Sequence, residues 1–197
     1  MPRQSLLNLL RQHVPADASE QTMTDATIAF VEQHPDCFER SLLVGESTAP
    51  GEVRLSDRPG HITGSAWVVS PDRSYVVLIH HRKLDRWLQP GGHADGDPDV
   101  AAVALREARE ETGLASLRLV GVDGKQPAVF DVDIHAIPAR GDVPEHRHYD
   151  IRFLLEADPN EPFGASKEVK DIRWFSMEDA KTVSDSESML RMVRKTG

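Results

Sequence analysis

The stretch Trp87–Leu114, WLQPGGHADGDPDVAAVALREAREETGL, constrains this chain more than any other. Pro90, Gly91 and Gly92 mark a sharp turn whose carbonyls stay accessible. A helix follows. Asp97 suits the N-cap, Pro98 the first helical position and Asp99 the positive end of the dipole, while Gly113 supplies the stop, which predicts a helix from Pro98 to Thr112. Val100, Val103, Ala104 and Ala108 recur at helical spacing and mark its core face. Glu107, Glu110 and Glu111 stand at i, i+3 and i+4, so their carboxylates converge on one patch and repel by about 0.2–0.5 kcal/mol per pair. In an ordinary helix that is a solvated charged face. Behind a Gly-Gly turn it becomes an all-oxygen donor set of the kind hard divalent cations prefer.

These residues resemble the Nudix box: a glycine, five residues, a glutamate, seven residues, then Arg-Glu-aliphatic-any-Glu-Glu-any-Gly-aliphatic. Gly92 stands at the first glycine, and Arg106, Glu107, Ala108, Glu110, Glu111, Gly113 and Leu114 fill the second half in register. The first glutamate position falls on Pro98, with Asp97 one residue early, and Ala108 is small for its aliphatic slot. The resemblance implies an α/β fold, a Nudix-type α/β/α sandwich with a mixed sheet, here preceded by a short helical arm. It also implies a pyrophosphohydrolase that cleaves the diphosphate linkage of a nucleoside diphosphate joined to another moiety, with Mg²⁺ or Mn²⁺ as cofactor. Glu107, Glu110, Glu111 and the Gly92 carbonyl would hold the metal. Glu110, Glu111 or Glu168 would serve as base, and Arg106, paired with Glu110, and Asp97 would support the box. Two other readings of the same resemblance stay open: a ligand-sensing module that has kept its box carboxylates, and an isomerase acting on isopentenyl diphosphate.

Charge bounds the partners. With 32 acidic against 23 basic residues the formal charge is −9, which argues against nucleic-acid polymers and anionic membranes; the small-molecule diphosphate that the resemblance implies would have to be drawn in by metal and local cations. One cysteine, Cys37, excludes an internal disulfide, and no apolar run approaches the roughly 20 residues of a membrane span. Together with an N-terminus that lacks a signal-peptide pattern, this leads to the expectation of a cytoplasmic protein, with homodimerisation left open.

The chain divides by pattern. Residues 1–45 carry two helical stretches, one around Leu6, Leu7, Leu9 and Leu10, ended by Pro15, and one from Thr22 to His34; residues 46–59 are a Gly/Pro/Ser-rich connection, and 60–197 form the main domain. From Gly60 the period becomes two: His61–Ser70 and Tyr75–Arg82 read as a hairpin, with His61, Thr63 and Ser65 on one face. Arg82 is a candidate phosphate ligand because its planar guanidinium takes two oxygens at once, with a salt bridge to Asp85 as the alternative. Trp87 is a candidate to stack on a base. Leu117–Val122 reads as a short strand.

A second hairpin carries the remaining candidates. Asp131, Asp133 and His135 alternate with Val132 and Ile134, and His146, His148, Asp150 and Arg152 alternate with Arg147, Tyr149, Ile151 and Phe153. Paired antiparallel, these strands gather imidazoles and carboxylates on one face. Asp133, His135, His146, His148 and Arg152 are read first as the substrate-binding wall, second as a solvent face and third as a site for a second metal. Lys167–Met177, with Glu168 and Trp174, resembles the acidic loop and closing strand of a Nudix domain, followed by a helix from Met177.

Overall fold

A computed structural model describes residues 2–40, 43–46, 53–55, 58–122, 126–164, 167, 169–184 and 186–197, with backbone only for 43–46, 53–55 and Val122. Glu168 and most of the 46–59 connection lie outside the described residues. The chain begins with α1 (Pro2–Gln12) and α2 (Ala18–Gln33), then β1 (Leu43–Glu46) and β2 (Val53–Leu55), which pair with each other. The main sheet uses β3 (Gly60–Val69), β4 (Tyr75–His81), β5 (Arg86–Leu88), β6 (Gly91–His93) and, after α3 (Val100–Thr112), β7 (Arg118–Leu119). β8 (Gly121–Val122) and β9 (Gln126–Pro127) make a small ribbon; β10 (Val129–Ile137), β11 (His146–Glu156) and β12 (Val169–Ser176) return to the main sheet, and α4 (Met177–Thr182) and α5 (Glu187–Thr196) finish the chain. The strand predicted at Leu117–Val122 breaks at Val120 into β7 and β8, because Val120 donates its N–H to Leu154 while Gly121 turns to pair with Pro127.

The eight-stranded sheet is mixed, in the order β10-β11-β3-β4-β12, with β5 on β4, β6 on β3 and β7 on β11. Among the described strands only β11 and β3 run parallel, over Gly60–Val69 against Arg147–Glu156. Every residue of β3 is buried, as expected of a central strand covered on both faces. On one face Ile62, Ala66, Val68, Val132, Ile151 and Phe153 pack with Val100, Ala101, Ala104 and Ala108 of α3 and with Leu6, Leu10, Phe30 and Val31 of the N-terminal helices. On the other, Trp67, Val76 and Leu78 pack with Ala180, Met189 and Met192 of the C-terminal helices. Helices therefore lie on both faces of the sheet. No helix among the described residues is long and apolar enough to cross a membrane.

The helical arm also closes a sheet edge. β10 is an outer strand, and an outer strand carries unpaired backbone groups that invite association. Here Val132 donates its N–H to Glu20, the His13 ring bonds the Val129 carbonyl at 3.0 Å, and Phe30 stacks on Tyr149 with ring centroids 3.9 Å apart. Glu20 is fully buried and accepts hydrogen bonds from the Ala16 backbone and from Lys195 of α5, both within 2.7 Å, and pairs with His13 at 2.9 Å. Burial on its own would raise its pKa, but the bonds from His13, Ala16 and Lys195 outweigh it and hold the carboxyl far below the usual range. A folded-state pKa below the unfolded value contributes stability above the unfolded pKa, near 4.5, that is lost as pH falls below it. Glu20→Gln should therefore lower stability by about 3–5 kcal/mol at neutral pH, with a gap from the parent that narrows toward about pH 3. Denaturant unfolding at the two pH values checks this; an equal gap at both would refute the assignment.

Candidate active site

Two aspartates compete to start α3, and the structure corrects the sequence expectation. The helix begins at Val100, not Pro98, and its N-cap is Asp99, whose side chain accepts from the Ala102 N–H at 3.0 Å. Asp97 instead accepts from the Asp99 N–H at 2.9 Å, closing a tight turn that keeps Pro98 ahead of the cap. The stop is as expected: Gly113 adopts a left-handed φ of 72° and donates its N–H to the Arg109 carbonyl.

This helix sets its carboxylates against the glycine turn. Pro90 is fixed by the Ala66 N–H, and Gly91 and Gly92 lie in β6 opposite Ser65 and Gly64. Glu111, 7% exposed, accepts the Gly91 N–H at 2.9 Å. A β-carbon on Gly92 would sit 2.5 Å from Cδ of Glu107, so a side chain there would push that carboxylate away from the turn. Glu110 projects outward with a side chain 64% exposed. Arg106 was expected to pair with Glu110, but that contact is 4.0 Å; its closer partner is Glu107 at 3.0 Å, because the half-exposed guanidinium folds back toward the turn, reaching the His93 carbonyl at 3.5 Å and Asp97 at 3.8 Å. Burial raises the pKa of Glu107, with the charges of Glu110 and Asp95 adding to that and Arg106 opposing it. A half-buried carboxylate incompletely neutralised by its own protein, beside a second carboxylate and an open glycine cradle, fits a hard cation.

The other candidates divide. Asp133, His135 and His148 lie where the alternation puts them, on one face of the β10–β11 ladder with Asp133 opposite Asp150 and His135 opposite His148. Arg152, 3% exposed, gives its donors to Asp150 (2.8 Å), Asp131 (3.0 Å) and Asp133 (3.1 Å), and Arg191 of α5 adds two bonds to Asp131. Its guanidinium is thus committed to holding strands together. Arg82 donates to the Lys167 and Val169 carbonyls, both at 3.0 Å, while Asp85 pairs with Lys170 at 2.6 Å. Trp87 is enclosed by His80, by Phe175 edge-on at 4.8 Å and by the Arg173 guanidinium at 5.3 Å. Neither Arg82 nor Trp87 is brought to the box carboxylates by a bond or ring contact in the structure.

Two histidines gain a setting that local sequence does not convey. The parallel pairing of β11 with β3 puts His61 opposite His148, and β6 puts His93 opposite Thr63. Ring centroids of His61, His93 and His148 lie 4.7–5.1 Å apart, and His146 is 5.0 Å from His61. Burial first, then the neighbouring imidazoles, push the His61 pKa down to about 3 and that of His148 to about 2. The signal available in the sequence was His93 itself, next to the box glycine.

The model of the NUDIX domain family matches residues 61–195, which takes in the main sheet from β3 onward, the box and α5. The chain belongs to that family. It is 30% identical over 109 residues to mouse nucleoside diphosphate-linked moiety X motif 6, a match covering 53% of this chain and 34% of that one. It is 29% identical over 119 residues to a probable DHNTP pyrophosphohydrolase of Lactococcus lactis, covering 59% and 63%. The chain thus spans less than two thirds of the length of either relative. Among solved structures, a binary complex of the C. elegans Ap4A hydrolase superposes with a TM-score of 0.53 at 19% identity, over 68% of this chain and 93% of the other, a likeness of fold.

Proposed function

We propose that this Nudix-family chain is a divalent-metal-dependent pyrophosphohydrolase acting on a nucleoside diphosphate linked to another moiety. The observation that carries the proposal is that Glu107 and Glu111 stand against the Gly91–Gly92 turn while Glu110, on the same helix, stays open to solvent, with all three carboxylates retained. Glu107, Glu110 and the Gly92 carbonyl would hold Mg²⁺ or Mn²⁺. Such an ion, when bound, offsets charge on the phosphates and acidifies a bound water. Glu111, tied to the Gly91 N–H, fixes the turn against the helix and so holds the donors in place. Glu110 is the carboxylate open to solvent and is assigned the proton from the attacking water, with Glu168 the alternative. Arg106 spans helix and turn through Glu107, Asp97 and the His93 carbonyl, and is assigned the positioning role. The DHNTP and Ap4A activities named for the relatives set the first substrates to try.

The isomerase reading needs a reactive cysteine in the site, and Cys37 does not supply one. It is fully buried in the apolar cluster under α3, and burial pushes its thiol up to about 11. The test of the proposal is phosphate release, with a coupled phosphatase, from dihydroneopterin triphosphate, dinucleoside polyphosphates, ADP-ribose and nucleotide sugars, with and without Mg²⁺. Turnover of at least one substrate that stops on chelation is expected. No turnover together with no Mg²⁺ binding would favour a sensing module; tight Mg²⁺ binding without turnover would point to a diphosphate substrate outside this panel.

A further inference from the structure

The histidine cluster differs chemically from the box carboxylates. Nδ1 or Nε2 atoms of His61, His93 and His148 all lie within 4.8 Å of one another. His61 is 2% exposed, and neither of its ring nitrogens has a hydrogen-bond partner among the described residues. Two buried polar nitrogens without partners carry a cost of a few kcal/mol, which a bound ligand would remove. At the margin of the cluster a backbone carbonyl can only accept, so the 2.9 Å contact of His146 Nδ1 with Pro144 puts a proton on Nδ1, and in the neutral ring Nε2 is then the lone-pair atom. At the rim His135, 5.3 Å from His148, is oriented by Asp133 at 3.2 Å.

We propose that His61, His93 and His148 form a binding site for a divalent transition metal of the zinc type, with His146 at its margin, separate from the box carboxylates. The separation follows from strand geometry. Successive residues of a strand point to opposite faces, so His93 turns away from the helix that Gly92 abuts and joins His61 on the other face of the sheet. Donor chemistry separates the two sites further: imidazole nitrogens favour Zn²⁺, Fe²⁺, Ni²⁺ or Cu²⁺, whereas the box offers oxygens suited to Mg²⁺. Ligands on a tetrahedral ion at ordinary Zn–N distances stand about 3.3 Å apart, so shifts of less than about 1 Å per ring close the cluster around a metal. Three protein ligands leave a coordination position open, which suits water or an anionic oxygen and so gives the ion a place for a ligand group.

The experiment is calorimetric titration of the chelator-treated full chain with Zn²⁺ in excess Mg²⁺, which saturates the carboxylates. One equivalent of Mg²⁺-resistant Zn²⁺ is expected, weakened by at least about 100-fold in His148→Ala and in His93→Ala and unchanged in Glu107→Gln. Circular dichroism certifies each variant, and His148→Gln is substituted if the alanine variant does not fold. No Mg²⁺-resistant equivalent in the parent, equal affinity in the histidine variants, or loss of the equivalent in Glu107→Gln would each overturn the proposal. Hydrolytic activity is not the readout, so the outcome stands apart from that of the diphosphate assay.

Discussion

Arg152→Leu should cost about 3–5 kcal/mol of folding stability, a large share of the roughly 5–15 kcal/mol that holds a domain together. The reason is asymmetry. An ion pair buried with good geometry contributes little net, since desolvation offsets attraction, but deleting one partner strands the other charge in a poorly hydrated interior. Here one guanidinium serves Asp150, Asp131 and Asp133. Some compensation survives: Asp150 keeps the hydroxyls of Thr63 and Ser65 at 2.9 and 2.8 Å, and Asp131 keeps Arg191. Among the described residues Asp133 keeps His135 and a 3.8 Å approach from Arg191. Guanidinium-chloride unfolding followed by circular dichroism measures the loss, and a change under about 1 kcal/mol would show that water reaches these carboxylates. The variant reports on the site as well. Arg152 holds β10 and β11 in the register that sets His135 beside His148, so loosening it should disorder the imidazole face before the box.

Glu107→Gln should lower turnover by about 10²–10⁴-fold while leaving stability in metal-free buffer unchanged or slightly higher. Glutamine keeps the shape against Gly92 and can still meet Arg106, so packing is retained. What is lost is a negative charge that burial and the neighbouring Glu110 and Asp95 disfavour in the folded protein. The residue's environment opposes its charged form, which is the form a cation would need, and that conflict is what the proposed metal-holding role expects. Parallel measurement of kcat and of unfolding midpoints in the parent and the variant decides the matter. Equal losses in both would make Glu107 a structural residue.

Much of the box was legible because its information is local. The glutamate spacing, the Gly113 stop and the glycine turn act within a few residues of one another, and no distant contact is needed to place them on one helix and one loop. The start of that helix was misplaced by two residues for a reason equally physical. Asp97 and Asp99 can both cap, and local propensity does not rank them; once Val100 and Val103 bury against the sheet, Asp99 is left at the helix entrance. Arg82 and Trp87 looked free in sequence because their partners, the backbone at residues 167 and 169 and the rings of Phe175 and His80, come from strands far along the chain or across the sheet.

The sequence by itself determined the family, the alternation of the two hairpins and the carboxylate face of α3, all of them periodic or short-range properties. The tertiary structure decided which side chains the histidines and the buried arginine meet. His61 and His148 are 87 residues apart in number but become neighbours through the one parallel pairing in the main sheet, β11 on β3, and His93 joins them through β6. No local propensity encodes that pairing. It is fixed by the burial of both faces of β3, and only after that choice do three unremarkable histidines share one cluster.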